Sequence, residues 1–443
     1  MEILVTKLSQ ALLQTAAKIE RPAASCQAYL QLAEAFLEAR QKPVALEFLA
    51  AAEKAAASLK RPEEKAVVLA RIGKIYSDAA DPQKSTDLFT RAALLSRAAE
   101  TPEQQAGALY ETASDLADAG LIDQAAQLLS QLHALAVIPE NNLDTVAELI
   151  GIAEIYTDIG QTLQTRQILA EALVLASSIK DNWFKAQRLT EIAQEYLYLD
   201  AGTEAEKVLN DLLPLAGQID ETNRIYFSLT IAGLFIDLEQ PNRALEILTT
   251  ALGIAREIEA PETRVNDILD IAEKYSSMGE TGQASQLLNE AEAGLAAIES
   301  PVEKVSSLLR IAAQSVELGR DEEALELARQ AHALCAGLAD KRSLVHWLGS
   351  PALLYTRLNQ RQKAADAVSE MLNVIEAGKE KTAGLGPIIS DLAENGAVDL
   401  SLRLTQAVRE PEVKLAAVAA ILTCLASSGQ IPEETLPALL QSI

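Results

Sequence analysis

Residues 261–288 read PETRVNDILDIAEKYSSMGETGQASQLL, and this stretch decides the fold. Pro261 stands where a first helical residue loses nothing by lacking an N–H. Ile268, Ile271, Ala272, Tyr275 and Met278 then recur at helical spacing. Gly279 is placed to end that helix in the left-handed conformation, and a second apolar run opens through Ala284 and Leu288. The stretch therefore predicts two antiparallel helices. The same pattern recurs nine times at a step of about forty residues. One column holds a small residue throughout: Ala33, Gly73, Ala113, Ala153, Ala193, Ala232, Ala272, Ala312 and Ala352. Three residues on stand Phe36, Tyr76, Leu116, Tyr156, Tyr196, Phe235, Tyr275, Ser315 and Tyr355. Self-similarity at this period predicts an all-α solenoid, in which each unit buries its apolar face on its neighbours.

The other columns fit two-helix units. First helices open at Pro22, Pro62, Pro102, Pro261 and Pro301, with Pro139 slightly out of step and acidic caps at Asp181 and Asp220. The turn column reads Gly120, Gly160, Gly279 and Gly319, with Arg40, Ala80, Asp200, Glu239 and Asn359 in the remaining repeats. Ala45, Ser85, Ala125 and Ala205 mark the entry of second helices, and Leu49, Phe89, Leu129 and Leu209 follow four residues later. Small columns let helices approach; large ones fill the space between them.

These spacings resemble the tetratricopeptide repeat: a small residue, an aromatic three further on, a glycine turn, and a small residue in the second helix. That family's unit is about 34 residues, whereas the columns here step by 40, and once by 39. The extra residues fall before the next proline, as in AAASLKRPEEK, and predict longer helices. HEAT-type repeats have nearly this period but do not predict the aromatic-then-glycine spacing. The resemblance spans residues 21–378 as nine helix-pair repeats. Residues 1–20 read as a capping helix, and residues 379–443 as two degenerate repeats, ending near Gly396 and Gly429, with a closing helix. It implies a right-handed superhelix whose first helices line a concave groove. The Lys, Arg and Asn clamp that some members use for a C-terminal carboxylate is replaced here by a mostly acidic face.

Composition bounds the partners. With 38 basic and 63 acidic residues the net charge is −25. Such a field repels nucleic acid and anionic membranes and steers basic proteins or peptides inward. No run of eighteen apolar residues predicts a membrane span. The opening MEILVTKLSQALLQTAAKIE lacks a signal-peptide layout, and Cys26, Cys335 and Cys424 are odd in number and far apart, so a cytoplasmic protein is expected.

No catalytic constellation emerges. His332 and Cys335 lie one turn apart, but a structural zinc needs four ligands and no second cluster completes the set. Gly378-Lys379-Glu380-Lys381-Thr382 follows a helix and lacks the upstream glycine of a phosphate loop. Neither cofactor nor metal is implied, and a non-enzymatic protein is expected.

One column invites a use. The residue two before the turn reads Glu38, Asp78, Asp118, Asp158, Tyr198, Asp237, Ser277, Glu317 and Arg357. A carboxylate in a last helical turn opposes the helix dipole at about 0.3–1 kcal/mol. Glu34 with Glu38, and Glu154 with Asp158, add like-charge repulsion at i,i+4. Either bridges to basic residues of adjacent repeats offset this, or the column is a ladder for a basic ligand. Seven of seventeen aromatics also fall in residues 183–235, and Trp183, Tyr198 and Tyr226 are candidate groove anchors. The expected function is a scaffold or adaptor receiving a basic segment, through Glu38, Asp78, Asp118, Asp158, Asp237, Glu317 and these aromatics. The alternatives are a self-associating array, or the sensing part of a regulator acting in trans.

Overall fold

The forty-residue step resolves into a 17-residue first helix, a three-residue turn, a 15-residue second helix and a five-residue connection, as in residues 22–61. The computed structural model describes residues 2–136, 142–335, 337–338, 341–378, 382, 384–426 and 431–443. Pro139, Lys379 to Lys381 and Gly429 lie outside them. Among the described residues the helices run α1 (Glu2–Ala16), α2 (Pro22–Glu38), α3 (Lys42–Ala56), α4 (Pro62–Asp78), α5 (Pro82–Ser96) and α6 (Pro102–Asp118). They continue as α7 (Ile122–Ala136), α8 (Asn142–Asp158), α9 (Thr162–Ser177), α10 (Asn182–Tyr198), α11 (Gly202–Ala216) and α12 (Glu221–Asp237). Next come α13 (Pro241–Glu257), α14 (Pro261–Ser277), α15 (Thr281–Gly294), α16 (Pro301–Glu317), α17 (Asp321–Cys335) and α18 (Lys341–Arg357). The last are α19 (Arg361–Gly378), α20 (Leu385–Glu394), α21 (Val398–Ala407), α22 (Pro411–Ala426) and α23 (Leu436–Ser442).

The chain divides into two compact units, residues 120–324 and residues 1–119 together with 325–443. In the first, α8 pairs with α9, α10 with α11, α12 with α13 and α14 with α15. In the second, α2 pairs with α3, α4 with α5, α18 with α19 and α20 with α21. There α2 also packs on α22, and α1 on α22 and α23.

Local chemistry explains the breaks. Asp181 Oδ1 accepts from the Trp183 and Phe184 N–H groups at 2.9 and 3.2 Å, and Asp220 from that of Asn223 at 3.1 Å. These acidic caps do the work that proline and Thr101 or Ser300 do elsewhere. Every residue of the turn column has positive φ, from Gly120 at 72° to Arg40 at 57°, Ala80 at 54°, Asp200 at 53°, Glu239 at 58° and Asn359 at 55°. Glycine is comfortable there; the other five adopt a strained conformation because the next helix must start two residues later.

The small column is buried: Ala33, Ala113, Ala153, Ala193, Ala232, Ala272, Ala312 and Ala352 are all 0% exposed. At Gly73 a Cβ would stand 3.3 Å from the Phe89 ring, so the larger second-helix residue of this repeat takes the space that alanine fills elsewhere. The aromatic column is buried, and several of its tyrosine hydroxyls find partners at its edge. Tyr76 donates to Glu53 at 2.9 Å, while Tyr156 and Tyr275 meet Ser130 and Thr249 at 3.3 and 3.5 Å.

Candidate functional site

Successive first helices touch along one face, and charged residues tie them together. In the unit that holds both chain ends, Arg71 on α4 donates to Glu34 on α2 at 2.9 Å and to Asp115 on α6 at 3.2 Å. Lys74, one turn on, stands 3.9 Å from both Asp78 and Asp118. In residues 120–324, Arg310 on α16 donates to Asn266 of α14 at 3.1 Å and pairs with Asp270. Arg71 and Lys74 are thus rungs between repeats rather than an isolated basic pair. The signal lies in the sequence: Arg71, Asp270 and Arg310 share one column, two residues before the small one.

The acidic column divides accordingly. Asp78 and Asp118 are exposed and share Lys74, which meets Asp78 within α4 and Asp118 across to α6. Glu38, at the end of α2, is exposed and close enough to Cys424 of α22 for its charge to help raise that thiol's pKa, after burial and Glu394. Asp158, Asp237 and Glu317 are exposed at the ends of α8, α12 and α16. Glu38, Asp78 and Asp118 belong to one unit and the other three to the second.

Residues 120–324 hold the more unusual electrostatics. Glu195 on α10 is only 6% exposed, and burial followed by the charges of Glu154 and Asp158 on α8 pushes its pKa up to about 7. Glu154 is itself raised, by burial and then by Asp158. Asp267 on α14 is raised to about 6 by burial and then by Asp270, against the pull of Arg310, and its Oδ2 has no hydrogen-bond partner among the described residues. Asp115 in the other unit reaches about 6 through burial, with Arg71 opposing. Glu195 and Asp115 are not among the candidates drawn from sequence. Their position, two after the small residue, is filled elsewhere by Ala35, Ile75, Ile155, Leu234, Lys274, Gln314 and Leu354, so a carboxylate in a mostly apolar column is the sign that marks them.

Other cations of residues 120–324 pair along the second helices. Arg166 of α9 binds Glu204 of α11, Arg243 of α13 reaches Glu206 of α11 at 3.0 Å, and Arg256 grips Glu290 of α15 through two bonds of 2.9 and 2.7 Å. His133 of α7 meets Glu171 of α9 at 3.0 Å. Glu154, Asp158, Glu195 and Asp237 stand on the first helices, where Arg188 also pairs with Glu191 and Arg310 with Asp270.

Trp183 and Tyr226 come together. Their rings lie 5.9 Å apart, with Phe227 edge-on to both at 4.9 and 5.3 Å. Tyr226 is 55% exposed, and neighbouring Phe184 is 41% exposed. Tyr198 is 68% exposed at the far end of α10, about 22 Å from Trp183 by helix rise, and does not join them. Tyr226 and Asp237 lie on one stripe of α12, eleven residues apart.

His332 and Cys335 take separate roles. His332 Nε2 lies 3.2 Å from Glu370 and its Nδ1 3.4 Å from the Tyr355 hydroxyl. Cys335 is fully buried, and that burial raises its thiol to about 11. Among the described residues no cluster of three or more ligands suits a metal ion, and no helix is long and apolar enough to cross a membrane.

Removing Arg71 tests the rungs. Arg71→Ala should cost about 1 kcal/mol in urea unfolding, because Asp115 loses its cation yet can protonate instead of staying buried and charged. Arg71→Ala with Asp115→Asn should recover most of that loss.

No family model and no curated protein sequence matches the chain. Solved structures do. Nearly identical TPR-like repeats from Podosopora anserina are 20% identical, covering 45% of this chain and 99% of that one, at a TM-score of 0.33. Ton1535 from Thermococcus onnurineus NA1 is 17% identical, covering 82% of this chain and 94% of that one, at 0.31. A Rap protein complexed with competence and sporulation factor is 14% identical, covering 80% and 98%, at 0.30. The fold is tetratricopeptide-like. Its antiparallel pairs, buried small and aromatic columns, and left-handed turn after each first helix carry that statement.

Proposed function

We propose that this protein is a non-enzymatic interaction scaffold or adaptor, and that the first-helix face of residues 120–324 receives a basic protein segment. The observation that supports it is the meeting of Glu154, Asp158 and buried Glu195 across α8 and α10. Burial, and then the charges of Glu154 and Asp158, push the Glu195 carboxyl up to about 7. A Lys or Arg side chain entering there would relieve the repulsion and keep all three ionised. The exposed Tyr226 ring on α12, packed against half-buried Trp183 of α10, offers area for a second cation. A ligand spanning from the rings to Asp237 along α12 would cover about 16 Å, the reach of some five extended residues.

The test uses a labelled arginine-rich peptide and fluorescence anisotropy at increasing salt. Glu154→Gln, Asp158→Asn and Asp237→Asn in one variant should weaken binding about tenfold and flatten its salt dependence. Tyr226→Ala should weaken it by a smaller factor without altering the salt slope. Unchanged affinity and slope in the charge variant would overturn the reading.

A further inference from the structure

Helix α1 has no partner next to it in sequence, yet it is built like a second helix. It is 15 residues long, as α3 and α5 are, and residues 17–21 connect it to α2 as residues 57–61 connect α3 to α4. Its buried residues fall forty positions before those of α3: Leu8 for Phe48, Ala16 for Ala56, and Ile19 in the connection for Leu59. At the other end of the sequence, α22 is built like a first helix. It opens on Pro411 as α2 opens on Pro22, is 16 residues long, and buries Leu415, Val418, Ile421 and Leu422. Beyond α22 the described residues form only the 3-10 turn Glu433–Thr435 and the seven-residue α23, less than half a second helix.

Packing joins the two remnants. First helices neighbour one another in the order α20, α22, α2, α4 and α6, so α22 lies beside α2 where a preceding first helix would lie. On the second-helix side the order is α21, α23, α1 and α3. Helix α1 packs on α22 and α23 as well as on α2 and α3, and Arg21 reaches Glu412 at 2.8 Å. Lys18 lies near enough to Lys414 to lower its pKa, after burial.

We propose that α22 and α1 are the first and second helices of one repeat divided between the two ends of the sequence, with α23 filling the remainder. The apolar faces of α1, α22 and α23 then cover one another within one chain.

Hydrogen exchange on the full-length chain tests this. Leu8→Asp should speed exchange in residues 411–426 and 436–442 at least tenfold, and Leu439→Asp should do the same in residues 2–16. Protection within residues 142–317 serves as the internal control. If either variant lost that control, Leu8→Ala and Leu439→Ala would replace them under the same criterion. Loss confined to the mutated end would overturn the proposal. Light scattering of the wild type should give one 47.5 kDa chain at every concentration; a dimer in which the ends exchange would overturn closure within one chain.

Discussion

Replacing Arg40, Ala80 and Glu239 with glycine in one variant is expected to stabilise the protein by about 2 kcal/mol. All three are exposed and hold φ between 54° and 58°, a region that costs a side-chain-bearing residue about 1–2 kcal/mol. Glycine removes that strain, and the greater freedom it gives the unfolded chain returns about 0.4–1 kcal/mol at each site. The three turns sit in separate repeats, so their effects should nearly add. The reverse change, Gly160→Ala, should lose about 1 kcal/mol. Urea midpoints at constant slope provide the measurement. A triple variant no more stable than the wild type would mean that these turns are relaxed.

Glu195→Gln should reshape the dependence of stability on pH. The folded-state pKa is raised from 4.5 to about 7, so the folded protein holds a proton that the unfolded chain has released. Below 4.5 both states are protonated and the carboxyl contributes nothing. Between 4.5 and 7 stability falls as pH rises, and above 7 the loss is complete. Asp115 and Asp267, raised to about 6 from 3.8, act with the same sign over a slightly more acidic window. Glutamine cannot ionise. The variant should therefore match the wild type at pH 4 and exceed it by about 2 kcal/mol at pH 8, a figure reduced from 1.36 kcal/mol per unit because some water reaches the group. An unaltered pH profile would show that Glu195 titrates normally.

The sequence was most legible where a column serves packing. Ala193 and Tyr196 belong to columns that repeat because every helix pair meets its neighbour in one geometry, and reading down nine units averages away the noise of each. The turn column was legible for the same reason: Arg40 and Glu239 take the left-handed conformation that only the glycines elsewhere announced. Charges were harder. Lys74 stands 3.9 Å from both Asp78 and Asp118, and the acidic column did not announce it, because a bridge across repeats depends on side-chain reach rather than on register. Glu195 was hidden by the opposite fault: it stands in a column whose polar members, Asp115, Lys274 and Gln314 among them, follow no repeat, and attention to what recurs passes over what does not. The kinship of α1 with α3 could have been read forty residues upstream of Phe48, but nothing in the order of residues tells that α22 is its neighbour.

The division of a repeat between distant segments sets a timetable for biosynthesis. At about 5–20 residues per second, roughly 20–80 s separate the making of α1 from that of α22. Throughout that interval Val5, Leu8 and Leu12 have no C-terminal helix to cover them. A nascent chain stalled before residue 411 therefore carries a sticky amphipathic helix at its front, which suits it to chaperone capture and early proteolysis. The finished chain carries no such flag.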